Sequence, residues 1–379
     1  MGLVIRRVII SVLVCAALCS MGGTVARADE MRVDAYAALL MDARTGQVYY
    51  AYNADRRNLP ASLTKLMTAI IAVENSKPGE VAVVSKKAAN ISMGSTIRLD
   101  EGDRITMGNL MKAALITSAN DSTVAIAEHV AGSEEAFLYL MNRKAFAIGA
   151  RDTRYANTNG YYDPGHYTTA YDLGLIARYA LENPRINSLV RIKGTTVKWI
   201  NPPEREKEIA NTNRLLRDEQ LMPGADGVKT GSTPRAGNCL IASATRGDRR
   251  LISVVLHAKD RYEESIKLLE YGFNEVRPMV IFPAGGEMAR VKVREGMESF
   301  VTATVADPVR VNIARDQFQN IQLKVKLDEN LKAPVREGQL VGHAEFTVQG
   351  YPLTKVPLVA VKEVQPENLF GRLMFWLSK

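Results

Sequence analysis

Cysteine is scarce in this chain. Its 379 residues include three, Cys15, Cys19 and Cys239, and two of those fall in the first 28 positions. Cys239 sits in an apolar run with Leu240, Ile241 and Ala242, so it is expected to be a small buried side chain rather than half of a disulfide. Histidine is nearly as rare, with His129, His166, His257 and His343 only. None is paired at metal-ligand spacing, so neither a metal site nor a cofactor is expected. No block rich in Lys and Arg is interleaved with aromatics, which argues against a nucleic-acid partner. The apolar run from Val8 to Leu18 is short for a membrane span.

What is present starts with an unusual N-terminus. Arg6 and Arg7 precede that apolar run, and Ala26-Arg27-Ala28 closes it, which reads as an export signal over 1–28 cleaved before Asp29. Loss of its three arginines lowers the formal charge from +8 to about +5. A mildly basic exported protein suits an anionic envelope surface. The remainder, at 46% hydrophobic and 24% charged overall, is that of a globular protein long enough for two domains.

Ala35 to Met41 and Val48 to Tyr52 read as a β-hairpin around the turn Asp42–Gln47. Strand-like pieces follow at Val81–Val84 and Thr96–Leu99. Helical runs cover Leu110–Ile116, Val124–Val130, 134–149 and Tyr171–Asn183, the last stopped by Pro184. A strand pair is expected over Arg191–Trp199 and Glu204–Glu208. Asp226–Thr233 comes next, then two strand-like runs, Cys239–Thr245 and Leu251–Ala258, joined by the turn Arg246-Gly247-Asp248, before a helix over Tyr262–Gly272. Strands at both ends with helices between describe an α+β catalytic domain over 29–277 with a helical insertion. From Pro278 the texture changes to short alternating strands at Ala289–Val293, Ser299–Val305, Ile321–Leu327, Leu340–Val348 and Pro357–Val364. They predict a small β-sandwich over 278–365. The tail over 366–379 places Leu369, Phe370, Leu373, Met374, Trp376 and Leu377 at helical spacing, with Arg372 and Lys379 off that stripe. It suits an amphipathic helix lying in a membrane interface; packing on the sandwich is the alternative.

Three short clusters carry chemistry. Ser62-Leu63-Thr64-Lys65 opens an apolar helix after Pro60, so hydroxyl and amine share one helix face. A serine beside an amine base is one way to activate a weak nucleophile. Alone this means little, because a Ser-x-x-Lys pair arises about once by chance in such a length. Ser118-Ala119-Asn120 sits on a polar break between two apolar helices, where Asn120 or Asp121 could equally be a helix cap. Lys229-Thr230-Gly231-Ser232 follows Asp226-Gly227-Val228.

Taken together and in this order, the three clusters resemble the active-site set of the penicillin-recognising serine enzymes. Ser118 to Gly132, His166 to Asp172 and Asp226 to Gly237 look like the D-alanyl-D-alanine carboxypeptidases among the low-molecular-mass penicillin-binding proteins. The likeness covers about 35–275, and a sandwich and amphipathic tail fit two-domain members. It implies an antiparallel sheet with flanking helices and a helical subdomain. It implies Ser62 as nucleophile, Lys65 as its base, Ser118 as proton relay, and Asn120 as holder of Lys65 and the substrate amide. Lys229 and Thr230 would bind the terminal carboxylate, with the like charge of Lys229 depressing the pKa of Lys65. Gly231 would admit substrate backbone, and the N–H groups of Ser62 and Ser232 would form an oxyanion hole. Arg261 matches a basic position near the site. The implied substrates are peptidoglycan stem peptides, with β-lactams as inhibitors.

His257-Ala258 departs from the family, where small glycine-rich residues are common, and Asn159-Gly160-Tyr161 is also less typical. Two other functions remain on the sequence. A class A β-lactamase needs a Glu followed four residues later by Asn before Lys-Thr-Gly, and no such pair lies between Ser118 and Lys229. A non-catalytic wall-binding protein would have no use for intact Ser62, Lys65 and Lys229.

Overall fold

A computed structural model describes residues 31–367. The expected export signal over 1–28 lies outside them. So does the expected terminal helix, except that Pro366 forms an isolated bridge with Gly296. Among the described residues no helix is long and apolar enough to cross a membrane.

The first part of the chain is built on a five-stranded antiparallel sheet. Its order is Val48–Tyr52, Ala35–Asp42, Arg249–Ala258, Gly237–Arg246, Ala225–Thr233. Within the strand Ala35–Asp42, the stretch Ala37–Met41 is continuously apolar and buried because both of its faces are covered. Successive side chains point to opposite faces of a strand. Leu39 and Met41 meet the helix Ala170–Glu182 at Gly174, while Leu40 meets the helix Arg261–Asn274 at Gly272. A Cβ on either glycine would lie within 2.5 Å of a leucine methyl, so the absent side chain is what lets helix and sheet approach.

The helical layer holds Lys65–Asn75, Met107–Ile116, Asn120–Ala131 and Glu134–Ile148. Beside it runs a smaller sheet of Val81–Val83, Arg104–Thr106, Gly194–Asn201 and Glu206–Ala210. Thr96–Leu99, expected as a strand, is not one. Its Ile97 and Leu99 N–H groups donate to the buried carboxylate of Asp121 and have no ladder partner to bond. Pro184 also does more than stop a helix. It is the first residue of another, Pro184–Val190, capped by the Asn183 side chain.

The expected domain boundary falls inside the strand Arg277–Phe282, which pairs with Val309–Ile313; neither was legible as a strand in the sequence. A five-stranded sheet follows in the order Ala289–Lys292, Phe300–Thr304, Tyr351–Ala360, Leu340–Val348, Ile321–Leu327. Val291, Val301, Val341 and Leu358 sit in its core. The last strand spans Tyr351–Ala360 rather than Pro357–Val364. Pro352 and Pro357 are tolerated because only Val359 and Ala360 have a partner on the strand's other side.

The two parts meet through polar contacts. Tyr351 Oη donates to Asp55 Oδ2 (2.8 Å), and its ring lies 5.0 Å from that of Tyr171. Tyr271 Oη donates to Asp316 (2.7 Å), and Ala51 N–H to Gln349 (3.2 Å). Replacing Tyr351 by Phe should cost about 1 kcal/mol, the usual value of one such bond. A urea titration reads this as a lower midpoint; an unchanged midpoint would show that the Asp55 contact adds nothing.

Candidate active site

Pro60 leads into a 3-10 turn, Ala61–Thr64, which runs on as the helix from Lys65. Helical geometry then brings Lys65 Nζ to 2.9 Å from Ser62 Oγ. The second partner of Lys65 is the Asn159 carbonyl, at 2.8 Å. Lys65 is wholly buried, which pushes its pKa well below the usual range; the charge of Lys229 adds to this, and that of Asp121 opposes it. Burial is thus the larger cause, ahead of the like-charge effect expected from sequence.

The loop carrying Asn159 presses on the nucleophile's turn. A Cβ on Gly160 would stand 1.7 Å from the Ala61 carbonyl oxygen, and Gly160 has φ +89°. Thr64 Oγ1 donates to that same carbonyl (2.9 Å) and lies 3.0 Å from His166 Nε2. Because the Thr64 proton is committed to Ala61, His166 must donate through Nε2–H. Its Nδ1 correspondingly accepts from Ala156 N–H (3.4 Å). Burial holds His166 neutral by lowering its pKa to about 4.

Ser118 lies on the break between two helices with φ 66°, a left-handed conformation uncommon for a residue with a side chain. Asn120 is the first residue of the following helix, whose cap is Ala119 with no side-chain bond, so neither Asn120 nor Asp121 serves as the cap. Nor does Asn120 hold Lys65 among the described residues. Its Nδ2 donates to the Met93 carbonyl (2.8 Å) and its N–H to Ser95 (2.7 Å). The link from this helix to the Lys65 helix runs through Thr158: its hydroxyl donates to Thr123, and its carbonyl accepts from Thr68.

Lys229, Thr230 and Gly231 come from the edge strand Ala225–Thr233. That strand lies against the Ser62 turn: a Cβ on Gly231 would be 3.1 Å from Ser62 N and from Ala61 Cβ. Lys229 is also buried, donating to the Thr230 carbonyl (3.0 Å). Burial first, and Arg261 second, lower its pKa to about 7. Arg261 donates to the Gly231 carbonyl (2.9 Å), and Thr230 Oγ1 hydrogen-bonds Thr212. Ser232 is exposed at the end of the strand, bonded to Asn238 (3.2 Å). Beyond it, Arg235 stacks at 3.8 Å on Tyr162 of the Asn159 loop, tying the cleft's two walls together.

Sequence reading singled out the three clusters but missed Asn159, Gly160, His166 and Thr212 as parts of the site. His166 lay in a family-like stretch and Asn159-Gly160 in a polar loop, but neither was given a role there, and an Asn-Gly loop also describes an ordinary turn.

A serine hydroxyl 2.9 Å from a buried amine of lowered pKa, with a second buried lysine on the adjoining edge strand, is an arrangement suited to acyl transfer. Residues 24–260 match the D-alanyl-D-alanine carboxypeptidase (peptidase S11) family, and 278–366 match the penicillin-binding protein 5 C-terminal domain. The chain belongs to that carboxypeptidase family. It is 33% identical to D-alanyl-D-alanine carboxypeptidase DacF of Bacillus subtilis, over 89% of this chain and 88% of that one. It is 35% identical to DacC of Escherichia coli, over 90% and 87%. Among solved structures it resembles the carboxypeptidase DacD of Francisella tularensis (TM-score 0.72, 27% identity, covering 92% and 98%). It also resembles penicillin-binding protein 5 of Haemophilus influenzae (TM-score 0.65, 28%, covering 89% and 99%). The protein is a serine D-Ala-D-Ala carboxypeptidase.

Proposed function

We propose that Ser62 carries the reaction through an acyl-enzyme, removing the terminal D-alanine from peptidoglycan stem pentapeptides. The observation that carries this is Lys65 Nζ at 2.9 Å from Ser62 Oγ with its other bond on a carbonyl. The Asn159 carbonyl takes one N–H, so a neutral Lys65 keeps its lone pair for the Ser62 proton. Ser62 Oγ then attacks the carbonyl of the penultimate D-alanine. The N–H groups of Ser62 and Ser232 receive the oxyanion, each worth about 3 kcal/mol. The carbon–nitrogen bond breaks, and Ser118 passes a proton to the leaving amine. Water repeats the attack and frees Ser62. Asn120, held by Met93 and Ser95, faces the substrate amide rather than Lys65. Lys229 and Thr230 hold the terminal carboxylate. Neither a β-lactamase nor a scaffold is needed to account for this site.

Burial pushes the pKa of Lys65 well below the usual range and that of Lys229 to about 7. Protonated Lys229 is required for the carboxylate and is lost as pH rises through about 7. So kcat/KM for a peptide with a free terminal carboxylate should rise as Lys65 deprotonates and fall above about pH 7. The same peptide as its methyl ester should lack the falling limb. Profiles that coincide above pH 7 would remove Lys229 from carboxylate binding.

We further propose export by the leader over 1–28, with the catalytic part over 29–277, the β-rich part over 278–365 as spacer, and the tail over 366–379 resting on the outer face of the cytoplasmic membrane. The tail's aromatic and basic residues support this. The whole reading is tested by incubating the protein with a D-Ala-D-Ala peptide and with penicillin. Free D-alanine, and a penicilloyl adduct mapped to the Ser62 peptide, are expected. Absence of both would end it.

A further inference from the structure

Ala61, the residue before the nucleophile, has φ 48°, a left-handed conformation that strains a residue with a Cβ. Its neighbours press on it from two sides. A Cβ on Gly231 of the edge strand would stand 3.1 Å from Ala61 Cβ, and Gly160 backs onto the Ala61 carbonyl. Contact alone does not fix where that carbonyl points; a hydrogen bond does. Its donor is the Thr64 hydroxyl (2.9 Å). Thr64 stands at the cap position of the Lys65–Asn75 helix, yet its side chain caps no N–H there. The hydroxyl serves the turn and not the helix.

A threonine hydroxyl has one proton and can turn it either way. His166 settles which. Ala156 N–H points at Nδ1 (3.4 Å), so the ring proton lies on Nε2, 3.0 Å from Thr64 Oγ1. Thr64 accepts there and donates to Ala61. The result is one directed chain from the Ala156 N–H through the imidazole and the Thr64 hydroxyl to the Ala61 carbonyl. The ring is 1% exposed, and the Tyr155 ring meets it edge to face with centroids 5.6 Å apart. Both ring nitrogens are committed, so this imidazole is not placed to carry protons for the reaction. It is placed to hold a neighbour still.

We propose that His166 is a positioning residue for acylation: its Nε2–H, acting through Thr64, fixes the Ala61 carbonyl and so the aim of Ser62 Oγ. The proposal rests on the reading of Ser62 as the nucleophile. His166 is buried behind the turn and reaches the reacting atoms only through Thr64. Its loss therefore leaves substrate binding in place and slows the step in which Oγ must meet the carbonyl. This role differs from that of Asn159, whose own carbonyl bonds Lys65.

The test is stopped-flow acylation by penicillin, which separates the affinity of the first complex from the acylation rate constant. Rates are referred to the fraction of protein that labels. Thr64→Val replaces the hydroxyl by a methyl of similar size. It should lower the rate constant about tenfold, short of the hundredfold effect of a 1 Å misplacement, and leave the affinity within about twofold. His166→Leu should do the same. The double variant should be no slower than either single one, since one chain can be broken only once. His166→Gln, whose side-chain amide can donate to Thr64 in place of Nε2–H, should recover most of the rate. A wild-type rate constant in Thr64→Val would overturn the proposal even with a lowered melting temperature, because a purely structural role loses folded protein and not speed. Losses that multiply in the double variant, or a Gln variant as slow as the Leu variant, would overturn it too. A wild type that forms no adduct on Ser62 would instead overturn the nucleophile reading beneath it.

Discussion

Lys65→Ala should lower the rate of Ser62 acylation by about 10³- to 10⁴-fold, the upper range for loss of a positioned base. Lys65 is the sole amine within hydrogen-bond reach of Ser62 Oγ among the described residues. The hydroxyl's proton has no comparable acceptor once that amine is gone. Burial pushes the pKa of the amine well below the usual range, which favours the neutral form that a base needs. The loss should be nearly uniform across peptide and penicillin, because both need the same proton moved. Rapid-quench measurement of penicillin labelling reads it directly. A reduction under tenfold would mean that Ser62 is activated by some other group, and the assignment of Lys65 would fall.

Gly160→Ala should be nearly as damaging by a different route. The new methyl would sit 1.7 Å from the Ala61 carbonyl oxygen, and Gly160 has φ +89°, so neither the position nor the conformation can accept it. The loop must withdraw from the turn, taking the Asn159 carbonyl away from Lys65. We expect a stability loss of about 3 kcal/mol or more. We also expect penicillin labelling to fall at least a hundredfold in whatever protein folds, since small misplacement of reacting groups has effects of that order. Thermal melting and labelling, measured on the same preparation, check both. Normal values in either would show that the loop is not what seats Ser62 and Lys65.

The contrast between these two residues explains how far the sequence could be read. Lys65 was legible because its partner is three residues away on a helix, a spacing that fixes geometry locally. The hairpin that contains the Ala35–Asp42 strand was legible for a similar reason, announcing itself by apolar runs and turn chemistry. Asn159 and His166 act on residues about 100 positions away. Asn159 acts through a backbone carbonyl that any residue could supply, so no residue type marks it. Thr96–Leu99 failed as a strand for a related reason: a distant carboxylate, Asp121, satisfied its N–H groups. The first part of the Tyr351–Ala360 strand, with Pro352, was missed because its one-sided pairing cannot be seen before the sheet is assembled.

By itself, then, the sequence determined which residues could do chemistry: a serine, two lysines and a Ser-Ala-Asn break, with apolar patterns to carry them. Only the tertiary structure decided how differently the two lysines are perturbed, Lys65 well below the usual range and Lys229 to about 7. Both are the same residue with the same intrinsic basicity. What separates them is how each is buried and which charges and carbonyls surround it, and those surroundings come from segments far apart in the chain.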